Sequence, residues 1–186
     1  DTIANQMKQI DVAAIYEARE RLRHEIAERM AAKVAALYQA DHAKAPYSPD
    51  AAPAARRALR NRALWYLAVS PEAAHPDLGG QQYDTADNMT DRMAPLAIFA
   101  DWRGPERDAA CADFERRFTG NDLAMDKWLG LQAASALPET LTRVEELMAH
   151  PAFSLTNPNK VRALIGRFAA GNPLRFHAPD GAGYRF

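Results

Sequence analysis

The chain has 186 residues, 48% of them hydrophobic, and a formal charge of -1 from 23 basic and 24 acidic side chains. Folding at that length buries about 70% of the extended surface, enough for one sizeable core or one layered array, which excludes a disordered chain. The balanced charge removes the electrostatic basis for binding nucleic acid or a membrane surface.

Apolar residues first recur at three- and four-residue steps through Val12, Ile15, Leu22, Ile26, Met30, Val34, Leu37 and Tyr38. That is the stripe of one long amphipathic helix. The pattern breaks from Ala43 to Tyr47, and Ser48-Pro49-Asp50 supplies an N-cap with proline at the first helical position. A second helix is expected to about Val69, with Leu59, Ala63, Tyr66 and Leu67 on one side.

The same punctuation returns down the chain. Ser70-Pro71 opens a short piece, and Asn88 or Thr90 caps a helix to about Ala100 that Pro95 is expected to kink or displace. Gly104-Pro105 opens a helix ending near Gly120, Asn121 caps the next to Ala134, and Pro138 begins one that His150-Pro151 stops. Asn157-Pro158 begins another that Gly171 closes, and Asn172-Pro173 and Asp180-Gly181 are two further starts. No strand-length alternation of β-branched and aromatic residues occurs, so the class is all-α. Short connections between about eight helices of ten to twenty residues favour antiparallel pairs stacked in a superhelical, HEAT- or armadillo-like array.

His24-Glu25-Ile26-Ala27-Glu28 approaches the helical H-E-x-x-H of zinc peptidases, but its fifth position is Glu28 and no third ligand follows. His42, His75, His150 and His177 show no ligand spacing. Arg56, Arg57, Arg60 and Arg62 read as a solvated helix face rather than a phosphate site. Trp65, Trp102, Trp128, Phe114, Phe118, Phe153 and Phe168 read as core. The single cysteine, Cys111, reads as a buried thiol in a reducing compartment. No run approaches the ~18 apolar residues of a membrane span and no signal-peptide pattern is seen, so the expected location is the cytoplasm. The start at Asp1-Thr2-Ile3, without methionine, suits excision from a longer polypeptide.

Several linked strings then carry a resemblance. Asn88-Met89-Thr90-Asp91-Arg92, Met125-Asp126-Lys127-Trp128 with Leu131-Gln132-Ala133, His150-Pro151-Ala152-Phe153, Asn157-Pro158-Asn159-Lys160-Val161-Arg162-Ala163-Leu164-Ile165-Gly166, Asn172-Pro173, Phe176-His177 and Gly183-Tyr184-Arg185-Phe186 resemble, in order and spacing, the C-terminal helical domain of bacterial aminopeptidase N. Asp11 to Ala40 and Leu59-Arg60-Asn61 resemble it more loosely, so the likeness covers the whole chain.

The resemblance implies a parent zinc enzyme that removes single residues from peptide N-termini with a zinc-bound water and a glutamate base. Those parts belong to an upstream thermolysin-like domain. The family's H-E-x-x-H and its Gly-x-Met-Glu-Asn motif are absent from these residues, so no catalytic residue and no metal ligand is assigned here, and zinc is the parent's cofactor. The helical domain is expected to cap the catalytic domain of the same polypeptide and to enclose a cavity that admits short or unstructured peptides. Residues 1–186 are then one helical domain, truncated at both ends. Arg162 matches a family arginine facing the interior channel, where a guanidinium would hold peptide carbonyls or a carboxylate; bracing a neighbouring helix is the competing role. Lys160 is a second candidate for the same channel wall. The alternative is a free-standing helical-repeat module for protein interaction.

Overall fold

The computed structural model describes residues 2–40, 47–70 and 75–186, with backbone alone at 75–76, and no strand occurs among them. The pattern break at 43–47 falls largely outside these residues, as do the start expected at Pro71 and the side chain of His42. The chain packs as two compact units, one of residues up to Tyr16 with Arg103–Phe186, the other Glu17–Trp102.

The unit Glu17–Trp102 contains most of α1 (Val12–Arg29), then α2 (Ala31–Ala40), α3 (Ala51–Leu67), α4 (His75–Thr85) and α5 (Met89–Phe99). The single helix expected from Val12 to Tyr38 is divided at Met30, although Met30 still donates to Ile26 and accepts from Val34. Beyond the division, α2 delivers Val34 and Tyr38 to a cluster with Ala63, Leu64 and Leu67 of α3. Burying such side chains contributes about 1.5–3 kcal/mol each. Upstream the stripe is only partly covered: Val12, Ile15 and Ile26 are half-buried, Leu22 is 59% exposed, and Ala27 is the one fully buried residue of α1.

Helix α3 starts at Ala51, later than expected. The Ser48 hydroxyl accepts from the Asp50 amide at 3.1 Å and donates to Asp50 Oδ2 at 2.7 Å, closing a turn ahead of the helix rather than capping it. Of the arginines of α3, Arg56 and Arg62 are exposed as expected, whereas Arg57 and Arg60 are half-buried. Arg57 lies over the Tyr47 ring at 4.7 Å, Arg60 over Tyr38 at 5.3 Å and Arg62 over Trp65 at 5.0 Å. Arg23 covers Trp65 at 3.8 Å and donates to the Trp65 carbonyl at 2.7 Å, so Trp65 is half-buried between cations and is not core.

Pro95 sits inside α5 without ending it. Proline has no N–H, so the Asp91 carbonyl four residues earlier loses its helical donor. Gln82 Nε2 takes the vacancy at 2.9 Å and also donates to Asn61 Oδ1 at 2.7 Å. Asn61 Nδ2 in turn donates to Asp91 Oδ1 at 3.0 Å, and Asn88 caps α5 by accepting from the Asp91 amide at 3.0 Å. Three helices are thereby joined through one polar knot, and the Asn88–Arg92 string is part of it.

The other unit contains α6 (Pro105–Phe118), α7 (Asp122–Ala133), α8 (Thr140–Met148), α9 (Pro158–Val161), a π-helical turn (Arg162–Gly166), α10 (Arg167–Gly171), α11 (Pro173–Phe176) and α12 (Ala182–Arg185). Its core is Phe114, Trp128, Leu129, Val144, Leu147, Leu164 and Phe168. Trp128 Nε1 donates to the Cys111 carbonyl at 2.9 Å, and burial pushes the Cys111 thiol above its usual range. Helix α8 begins at Thr140 rather than Pro138, because the Thr140 hydroxyl donates back to the Ser135 carbonyl at 3.0 Å.

Asn172 has two roles. Its side-chain oxygen caps α11 through the Arg175 amide, and its Nδ2 donates to the carbonyls of Ala133 and Ser135 at the C-terminal end of α7. Gly183 lies against the main chain of Phe176, where a Cβ would come within 2.8 Å of Phe176 Cα. Within the units consecutive helices pack on one another, α2 on α3, α4 on α5, α6 on α7 and α7 on α8, which is the stacked helical array expected from the sequence.

Candidate functional site

Helix α7 and the segment from Asn157 to Gly166 form one structural block. Asn157 caps α9 through the Asn159 amide at 2.9 Å, with Pro158 at the first position. Lys160 points inward and is 5% exposed. Its Nζ lies 2.9 Å from Asp126 Oδ1 and 3.1 Å from Asp122 Oδ1, and it donates to the Asp122 carbonyl at 3.2 Å. Burial alone lowers the Lys160 pKa, but hydrogen bonds and charge from Asp126 and Asp122 outweigh it and hold the ammonium above its ordinary value.

The next turn winds more loosely. The Arg167 amide reaches the Arg162 carbonyl five residues back, the hydrogen bond of a π-helical turn, a departure from α-geometry that recurs at functional positions. Leu164 anchors the turn in the core. Gly130 of α7 lets it approach: a Cβ there would stand 3.1 Å from the Ala163 carbonyl. Arg162 is exposed, and its guanidinium lies 3.5 Å from Asn159 Oδ1, at the outer limit of a hydrogen bond.

The two residues singled out in the sequence are thus treated oppositely. Lys160 is buried, donating to the Asp122 carbonyl and ion-paired with Asp122 and Asp126 of α7, whereas Arg162 keeps its guanidinium at the surface. Sequence reading did not find Asp122 as a partner. Asp126 lies within one of the strings that carried the resemblance, and that was the available signal.

An open cavity of about 450 Å³ lies between α6, α7 and α8. Its charged groups largely satisfy one another: Arg143 bridges Gln132 and Glu146, each at 2.9 Å, Arg107 faces Glu139 at 3.9 Å, and Glu115 holds His150 at 3.0 Å. His150 Nδ1 also accepts from the Ala152 amide, so this histidine braces the turn after α8.

A zinc site does not fit these residues. His24 and Glu28 are exposed on α1, Glu25 between them is paired with Arg21 and Arg29, and no group of three His, Cys, Asp or Glu side chains suited to a metal occurs among the described residues. No described helix is long and apolar enough to cross a membrane.

Residues 1–186 match the family described as domain of unknown function (DUF3458_C) ARM repeats. The chain is 39% identical over 177 residues to aminopeptidase N of Escherichia coli (strain K12), covering 95% of this chain and 20% of that protein. It is 37% identical over 184 residues to aminopeptidase N of Caulobacter vibrioides, covering 99% of this chain and 21% of the relative. The crystal structure of Legionella pneumophila aminopeptidase A in complex with aspartic acid matches with a TM-score of 0.87 at 26% identity, over 98% of this chain and 22% of that one. The chain therefore spans about a fifth of the length of the relatives it matches, and the resemblance to the helical C-terminal part of aminopeptidase N holds.

Proposed function

This chain belongs to the family of ARM-repeat domains described as DUF3458_C, and from that premise we propose that it is a non-catalytic helical segment of a zinc aminopeptidase. In this reading it caps the catalytic domain of the same polypeptide and shapes the channel through which peptides reach the metal. Zinc and the water-activating base belong to that other domain, and no step of the chemistry is assigned to residues 1–186. The polypeptide is cytoplasmic, and its substrates are peptides that lose single N-terminal residues.

The observation that carries this reading is the pairing of one-fifth coverage with whole-chain similarity to aminopeptidases N. Arg162 is the proposed channel residue. Within the Asn157–Gly166 string the side chains of Asn157, Lys160 and Leu164 are committed to a cap, an ion cluster and the core, while the Arg162 guanidinium stays exposed. A guanidinium there would hold a peptide carbonyl or terminal carboxylate.

The test is Arg162→Ala in the full-length polypeptide. KM for tripeptides and longer peptides is expected to rise with the loss of about 1.5–3 kcal/mol of charge-assisted bonding, roughly 10- to 150-fold, while aminoacyl-aminomethylcoumarin hydrolysis is preserved. Unchanged KM on every peptide length would remove Arg162 from the channel. The alternative, a free-standing interaction module, requires a reading frame with no zinc-binding H-E-x-x-H upstream of this segment.

A further inference from the structure

We propose that Lys160 is a positioning residue for Arg162, setting where that guanidinium stands by tying the first turn of α9 to the first turn of α7. The proposal rests on the reading of Arg162 as the channel residue and adds the device that aims it.

The four residues of α9 are the first turn of a helix that continues without a break through the π-helical turn to Gly171. Where that first turn sits against α7 is set by what it touches. Lys160 supplies one attachment, two residues before Arg162. Its ammonium donates to the Asp122 carbonyl and lies at ion-pair distance from Asp126 Oδ1 and Asp122 Oδ1. The side chain is buried and turned toward α7, so Lys160 acts on the site through the backbone rather than by contact.

A second attachment follows Arg162. The Ala163 carbonyl is seated in the notch left by Gly130, and Leu164 is fully buried. Arg162 is therefore held between an ion cluster at the start of α7 and a close backbone contact near its middle. The π-helical turn begins at that residue and changes the angular step by which successive side chains leave the helix.

Stability alone does not call for a lysine. A buried ion pair is often replaced by apolar side chains of similar volume at no loss, whereas it does fix one register in cases where direction matters. Methionine at position 160 would fill the same space and leave two aspartates without their cation. The expected consequence is a segment that still packs but lets Arg162 wander.

The experiment is a double-mutant cycle in the full-length polypeptide, reading kcat and KM on a tetrapeptide and on an aminoacyl-aminomethylcoumarin. Lys160→Met is expected to raise tetrapeptide KM by about 10- to 100-fold, with hydrolysis of the small substrate unchanged. Lys160→Met/Arg162→Ala should be no worse than Arg162→Ala alone, and Lys160→Arg should restore most of the loss. Where Lys160→Met fails to fold, Asp126→Asn takes its place in the cycle. Wild-type KM in the Lys160 variant, or losses that multiply in the double variant, would overturn the positioning role while leaving Arg162 in the channel. A silent Arg162→Ala would defeat the underlying reading instead, so the two failures are distinguishable.

Discussion

Gln82 donates its side-chain amide to the main-chain oxygen of Asp91 at 2.9 Å, and that oxygen is the acceptor that Pro95 cannot serve. A proline thus survives in the interior of α5 because a side chain from α4 replaces its missing N–H. Gln82→Leu is expected to cost about 1–3 kcal/mol by orphaning that carbonyl and Asn61 Oδ1. In a Pro95→Ala background the loss should be smaller, since alanine restores the helical donor. Urea unfolding of the four proteins measures the coupling; equal losses in both backgrounds would show that Gln82 does not stand in for the amide.

The Lys160 cluster gives a pH signature. Its folded-state pKa lies above the unfolded value of about 10.4, so its stabilisation is complete below that pH and is lost as pH rises through the higher folded value. Stability of the wild-type chain relative to Lys160→Met should therefore fall along the alkaline limb above about pH 10.4. Parallel curves for the two proteins from pH 8 to 11.5, spanning that unfolded value, would mean that the ammonium is not coupled to Asp122 and Asp126 as the distances indicate.

Two glycines should respond in opposite directions. Gly183→Ala forces a methyl against the Phe176 backbone, which cannot yield as a side-chain tip would, and should cost about 1–3 kcal/mol. At Gly80, inside α4, a Cβ meets nothing within 4 Å, and alanine should stabilise by roughly 0.5–1 kcal/mol. Thermal unfolding of both variants checks the pair, and a stabilised Gly183→Ala would refute the close approach of α12 to α11.

What was legible in the sequence is what local chemistry decides. Asn88, Asn121, Asn157 and Asn172 each accept from a backbone amide two or three residues on, and a cap of that kind is written within four residues of sequence. Partners that lie far apart in sequence were not legible. Arg23 finds the Trp65 carbonyl across 42 positions, Lys160 finds Asp122 across 38, and Asn172 finds Ala133 across 39. The arginines of α3 illustrate the point: helical spacing fixes which face they occupy, while the rings of Tyr38 and Tyr47 that cover two of them come from other segments. Pro95 does not displace the start of α5, and the compensation that keeps it inside the helix sits on another element, where local sequence does not show it. The π-helical turn spans only Arg162–Gly166, too short a stretch for a periodicity to register its wider winding. Arg162 and Lys160 stand out in the sequence by resemblance alone, and it is the packing on α7 that separates an exposed guanidinium from a buried ammonium.

The most direct test of the central claim is to purify residues 1–186 and the full-length polypeptide in parallel, add zinc, and measure bound metal by mass spectrometry together with turnover on an aminoacyl-aminomethylcoumarin panel. The account predicts chelator-sensitive hydrolysis and one bound zinc in the full-length protein alone. Stoichiometric zinc with chelator-sensitive turnover by the isolated chain would contradict it, and would make His24 and Glu28 the first residues to mutate.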